Sequence, residues 1–361
     1  MLKPATPGVA RSVAVCKFKV VPDCNNKPPL IKPLAPGALT QPGHDAREPL
    51  RALDELIFAP IRRQIGPTSH FLLSPDAALH LVPFAALVDE EGRYLFDHLL
   101  ITYVTSGRDL VRAAAQEVAR SKPLVVAAPD YEGRCTPLPG AKAEAEALQK
   151  YFADVDLHIG PDATKQKLTA AQAPIFVHVA THGFFRASRA SASSRAARSW
   201  RDDRDVVIAP SLLPTPNDRP NIEDVLDDAG LLFAGTNDAE ATLTAREIAG
   251  IDLRGTQLVV LSACDTGVGD IARSEGVYGL RRALAIAGAE AQVVSLWKVD
   301  DNATSQLMDR YYGGLHSGEG RSEALRQAQL TLLRNGPHAH PFYWAAFVHI
   351  GDERPLREKT W

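Results

Sequence analysis

The sequence predicts an α/β protein in which helices sandwich a mostly parallel β-sheet, and three observations predict it. Four short runs, LVVAAP (124–129), IFVHVA (175–180), LVVLSA (258–263) and QVVSLW (292–297), are apolar throughout instead of alternating. Strands buried on both faces have this character. Segments with helical periodicity, such as AKAEAEALQKYF (141–152) and GVYGLRRALAIAG (276–288), fall between them, the rhythm of strand–helix–strand units. Finally, 361 residues with 45% hydrophobic content supply a large core.

Taken in order, residues 1–48 read as an irregular lead-in or linker, because VPDCNNKPPLIKPLAPGALTQPGHD (21–45) is dense in proline and glycine. A single domain is expected over 49–361. It opens with LRALDELIFAPIRRQI (50–65), which has helical spacing. HFLLSPDAALHLVPFAAL (70–87) reads as strand, turn, strand, with Pro75 and Asp76 in the turn. An N-terminal β-hairpin region is therefore expected ahead of the main sheet. VDLHIG (155–160) is a further strand, and DDNATSQLMDRYY (300–312) begins a helix with aspartates suited to capping it. RASRASASSRAARSWRDDR (186–204) breaks the rhythm with small residues and repeated arginine, and reads as a mobile surface insertion.

Composition narrows the function. The formal net charge is −3, so nothing recommends nucleic acid as a partner. Cys16, Cys24, Cys135 and Cys264 are too few for a disulfide framework and show no paired metal spacing, which favours a reducing cytoplasm. No stretch has the roughly 18 apolar residues of a membrane span, and the start lacks a secretory apolar core. His338 and His340 in PHAHP are close together but lack thiol or carboxylate partners for a metal.

The chemistry concentrates at two strand ends. VATHGFF (179–185) ends a strand on His182 and Gly183, and LSACDTGVG (261–269) ends another on Cys264 and a glycine loop. In a parallel sheet, ligands gather beyond the carboxyl ends of strands. A thiol attacks a carbonyl as thiolate, and an imidazole can take its proton and return it to the leaving amine. His182 and Cys264 are the candidate base and nucleophile. The backbone N–H groups of Gly183 and Cys264 are candidate oxyanion donors. Read from pattern alone, Cys264 as a buried small hydrophobe and His182 as a turn histidine remains the alternative. His178, flanked by valines inside a strand, reads as a core or sheet-face histidine, and Cys135, in turn-rich YEGRCTPLPG, has no nearby base in the sequence. No cofactor or metal is required.

FVHVATHGFF, LTAREIAGIDLRGTQLVVLSACDTGVGD, SEGVYGLRRALAIAGAEAQVVSLWKVDDNAT and HPFYWAAFVHIGD resemble, in order, the diagnostic segments of CHAT domains, caspase-like peptidases often found beside tetratricopeptide repeats. LSPDAALHLVPFAAL and PLPGAKAEAEAL match earlier family segments, so the resemblance covers residues 50–352. It implies a caspase–haemoglobinase fold and peptide-bond hydrolysis by a Cys–His dyad at Cys264 and His182. The caspase signature Q-A-C-x-G is absent, so aspartate specificity is not implied. Relatives act in bacterial defence and cell death, sometimes on gasdermin-like pore-forming proteins, which implies a protein substrate of that kind. SLWKVDD (295–301) is similar to a segment of separase, a related peptidase that cuts after arginine. That similarity places a carboxylate for a basic P1 side chain at Asp301, with Asp300 and Asp265 as further candidates. A caspase-like interaction module without catalysis is the rival reading.

Overall fold

The computed structural model describes residues 13–17, 45–75, 77–105, 120–185, 226–265, 270–297, 299–334 and 337–357. The 186–204 insertion, the glycine loop at 266–269 and most of the 1–48 lead-in lie outside them. The strands are β1 Val13–Lys17, β2 His70–Ser74, β3 Leu100–Tyr103, β4 Leu124–Pro129, β5 Asp156–Gly160, β6 Phe176–Phe185, β7 Ala229–Leu232, β8 Thr242–Thr244, β9 Leu258–Asp265, β10 Ala291–Ser295 and β11 Phe347–Gly351. The helices used below are α1 Arg47–Leu53, α2 Ala59–Ile65, α3 Pro139–Leu148, α4 Asp270–Ala287, α5 Asp301–His316 and α6 Arg321–Arg334.

All the strands join one sheet in the order β1-β2-β3-β11-β10-β9-β6-β4-β5, with β7 on the end of β6 and β8 on β7. β10, β9, β6, β4 and β5 are mutually parallel. β1, β2, β3 and β11 form a second parallel block. The two blocks meet antiparallel at β10 and β11. The predicted α/β architecture is thus present, and the uniformly apolar runs are its central strands: Val125, Val126, Val177, Val179, Leu258, Val260 and Val293 are all fully buried. β11 runs opposite to β10, a reversal that the uniform apolar pattern does not encode.

The expected N-terminal hairpin is corrected. β2 pairs in parallel with β1 and β3, and the residues after it form two 3-10 turns, Ala77–Leu81 and Phe84–Ala86. Pro83 has no N–H to give a ladder. Phe84 N–H closes a turn on the Val82 carbonyl at 3.0 Å, and the Tyr103 hydroxyl bridges the same two groups, accepting from Phe84 N–H at 2.9 Å and donating to the Val82 carbonyl at 2.9 Å. Residues 50–65 are helical as expected, with a π-helical turn over Asp54–Phe58 between α1 and α2.

Candidate active site

β6 and β9 are adjacent parallel strands, and their register pairs Phe176 with Leu258 and continues without a break to His182 with Cys264 and Gly183 with Asp265. The two strand ends singled out in the sequence therefore belong to one place on the carboxyl edge of the parallel block.

The imidazole of His182 is buried, and its Nε2 lies 2.8 Å from the Thr136 carbonyl oxygen. A carbonyl can only accept, so Nε2 carries a hydrogen, and in the neutral ring that leaves the lone pair on Nδ1, the arrangement required of a general base. The backbone N–H of His182 donates to the Tyr131 hydroxyl at 3.2 Å. That hydroxyl lies 2.9 Å from Thr181 Oγ1, whose own hydrogen goes to the Leu232 carbonyl. Donation thus runs in one direction, from the His182 backbone to Tyr131, Thr181 and β7. Burial pushes the Tyr131 phenol up to about 12, so it stays protonated and able to donate. The Tyr131 ring also packs against the imidazole, with centroids 5.0 Å apart.

Thr136 and Tyr131 come from the loop between β4 and α3. Ala128, at a bulge in β4, has a left-handed φ of 44° and shifts the register on β5 just before the strand ends at Pro129 and the loop begins. Arg134 anchors the loop, donating from Nε to the Tyr131 carbonyl at 3.1 Å and from Nη2 to the Gly235 carbonyl. The sequence marks this stretch only as turn-rich, yet Thr136, next to the free thiol of Cys135, orients the candidate base. No side-chain pattern reveals it, because the interacting group is a main-chain carbonyl.

The other candidates separate. Gly183 is the register partner of Leu231 and of Asp265. A Cβ there would make only ordinary contacts, the nearest 3.7 Å away at the Gly230 carbonyl, so space does not demand glycine. Asp300 is the N-cap of α5, its Oδ1 accepting from Ala303 N–H at 2.9 Å. Asp301 is exposed and crosses the first turn of α3 so closely that a Cβ on Gly140 would lie 2.5 Å from its own Cβ. His178 is fully buried on the sheet. His340 caps a short helix by accepting from Phe342 N–H at 3.1 Å. Among the described residues there is no cluster of three or more His, Cys, Asp or Glu side chains able to hold a metal, and no helix long and apolar enough to cross a membrane.

The CHAT domain family model matches residues 47–352. The chain belongs to the CHAT domain family. It is 27% identical to tetratricopeptide repeat protein 28 of Homo sapiens over 87% of its length, and 27% identical to the Mus musculus protein of that name over 87%. It spans only 13% and 14% of those two relatives. Among solved structures it is similar to the Arg-specific cysteine proteinase gingipain R (TM-score 0.47, 9% identity, 88% of this chain and 69% of that one). It is also similar to the Saccharomyces cerevisiae separase–securin complex (TM-score 0.43, 14% identity, 82% of this chain and 17% of that one).

Proposed function

We propose that the protein is a cysteine endopeptidase in which Cys264 is the nucleophile and His182 the base and then the acid. The observation that carries this reading is the register of β6 on β9, which makes positions 182 and 264 neighbours, together with the Thr136 carbonyl that fixes the His182 tautomer. His182 Nδ1 takes the thiol proton and the thiolate attacks the scissile carbonyl carbon. The oxyanion is held by the backbone N–H groups of Gly183 and Cys264. Nδ1–H then protonates the leaving amine as the C–N bond breaks. Water, deprotonated by the same nitrogen, hydrolyses the thioester. The Thr136 carbonyl dipole stabilises the imidazolium between these steps.

A basic P1 residue is proposed, recognised by Asp301, the exposed carboxylate beside α3, with Asp265 and Asp300 at the same edge. The substrate is proposed to be a protein, of the gasdermin-like class or another product acting with this one in bacterial defence, met in the cytoplasm. The arginine-rich 186–204 insertion is proposed as a site of self-cleavage. These readings are supported by sequence resemblance and by the two aspartates at the α5 start.

A peptidyl fluoromethyl ketone with arginine at P1 tests the scheme by intact mass. The expected result is one adduct, on Cys264, lost in Cys264→Ala and in His182→Ala, with peptide turnover lost in both. A fluorogenic panel is expected to rank Arg and Lys above Leu and Asp at P1, and Asp301→Asn to reduce that preference by about ten-fold or more. Absence of any adduct on Cys264 leaves the interaction-module reading in its place.

A further inference from the structure

Below the candidate dyad, each of its strands carries a polar residue that the peptidase scheme does not use. His178 lies four residues before His182 on β6, and Ser262 lies two residues before Cys264 on β9. Glu144, on α3, reaches both. Ser262 Oγ donates to Glu144 Oε2 at 3.2 Å, and Glu144 Oε1 lies 3.3 Å from His178 Nε2. The other ring nitrogen of His178 is 2.8 Å from the Tyr312 hydroxyl of α5. Glu144 is 3% exposed, His178 0% and Tyr312 1%.

The groups facing this carboxyl from the surrounding elements are Ser262, His178, Tyr312 and, at the start of α5, Asp301. β4, which also packs on α3, has no charged residue over 124–129. Among the described residues no cation offsets Glu144, and Asp301 opposes its ionisation. An isolated buried carboxylate is costly, whereas a neutral carboxyl that donates to a neighbour is not. Burial pushes Glu144 up to about 8 and His178 down to about 3, so the two share one proton and carry no net charge at neutral pH. With the proton on Glu144 Oε1 and directed at His178 Nε2, the two atoms otherwise left unpaired in the core become partners.

The placement of α3 gives this pair a consequence for the site. The loop holding Thr136 runs directly into α3, so whatever fixes α3 on the sheet also fixes the carbonyl that orients His182. We propose that Glu144 is a positioning residue that sets the two halves of the dyad relative to one another, holding β9 through Ser262, β6 through His178 and the Thr136 loop through its own helix. The inference rests on the dyad reading above.

The test compares Glu144→Gln, Glu144→Ala and Ser262→Ala with the full chain, following kcat and KM on an arginyl peptide and iodoacetamide labelling of Cys264, with Cys135 as the reference thiol. Glutamine can accept from Ser262 and donate to His178, so Glu144→Gln is expected to keep kcat within about three-fold. Glu144→Ala is expected to lower kcat by about ten-fold, and Ser262→Ala by about three-fold, with KM little changed, as loss of hydrogen bonds worth these factors implies. Wild-type kcat in Ser262→Ala and in Glu144→Ala overturns the proposal. So does a Glu144→Gln variant as slow as Glu144→Ala. Should Glu144→Ala not fold, wild-type kcat in Ser262→Ala, or a Glu144→Gln variant slowed about ten-fold or more, overturns the proposal. Failure of the dyad reading looks different: in the unmodified protein, Cys264 would then be labelled no faster than Cys135 at neutral pH.

Discussion

The two edges of the parallel block hold buried ionisable groups in opposite ways. At the amino edge, Arg321 of α6 is fully buried among opposite charges. Its Nη2 lies 2.9 Å from Asp352 Oδ2 and its Nη1 3.8 Å from Glu290 Oε2, while its Nε donates to the Arg354 carbonyl at 2.7 Å. Arg354 and Arg357 complete the cluster on Asp352 and Glu290. Burial works to raise Asp352, but the Arg354 hydrogen bond and the Arg321 charge hold it down at about 2. At the carboxyl edge, Glu144 is also buried, with no cation among the described residues, and neutrality takes the place of pairing. The difference teaches where each edge serves. A paired cluster ties β9, β10 and β11 together at the end away from the candidate site, whereas the Glu144–His178 pair beneath positions 182 and 264 carries no net charge at neutral pH.

The largest effect should come from breaking the paired edge. Arg321→Ala strands Asp352 and Glu290 without their buried partner and is expected to cost about 3–5 kcal/mol, read from the denaturant midpoint. A loss below about 1 kcal/mol would show that the cluster contributes little. The neutral edge should respond with the opposite sign. The folded-state pKa of Glu144, about 8, exceeds its ordinary value of 4.5. The folded chain therefore keeps this proton longer than the unfolded chain, and stability falls as pH rises from 4.5 to 8. Glu144→Gln removes that loss. Its unfolding free energy, read from denaturant midpoints, should exceed that of the unmodified protein by a margin opening across this window, on the order of a few kcal/mol at the top. A constant margin, or none, would mean Glu144 is ionised in the fold.

Two smaller effects sharpen the comparison at the start of α5. Gly140→Ala places a Cβ against Asp301 and is expected to cost about 1–3 kcal/mol through the forced separation of α3 and α5, with weaker turnover of basic substrates than the stability loss explains. Asp300→Ala removes the N-cap and should cost about 1 kcal/mol in thermal unfolding. Retained P1 preference in Asp300→Ala would assign Asp300 to capping alone.

The sequence by itself determined the strands that carry the site. Their runs are apolar throughout because both faces are covered, and His182, Gly183 and Cys264 stand out where those runs stop. The α5 cap was equally legible, since aspartate before a helical run has a local cause. Tertiary structure decided the rest. Tyr103 lies sixteen residues or more beyond the 70–87 segment, so local spacing suggests a hairpin where the chain instead makes turns braced by its hydroxyl. Thr136 holds His182 through a main-chain oxygen, which every residue possesses and no pattern marks. Glu144 reads as one more charge on an amphipathic helix, and only the packing of α3 over β6 and β9 turns it inward. Spacing along a strand or helix is a local property, whereas a partner's identity and a buried group's protonation depend on contacts between segments far apart in the chain.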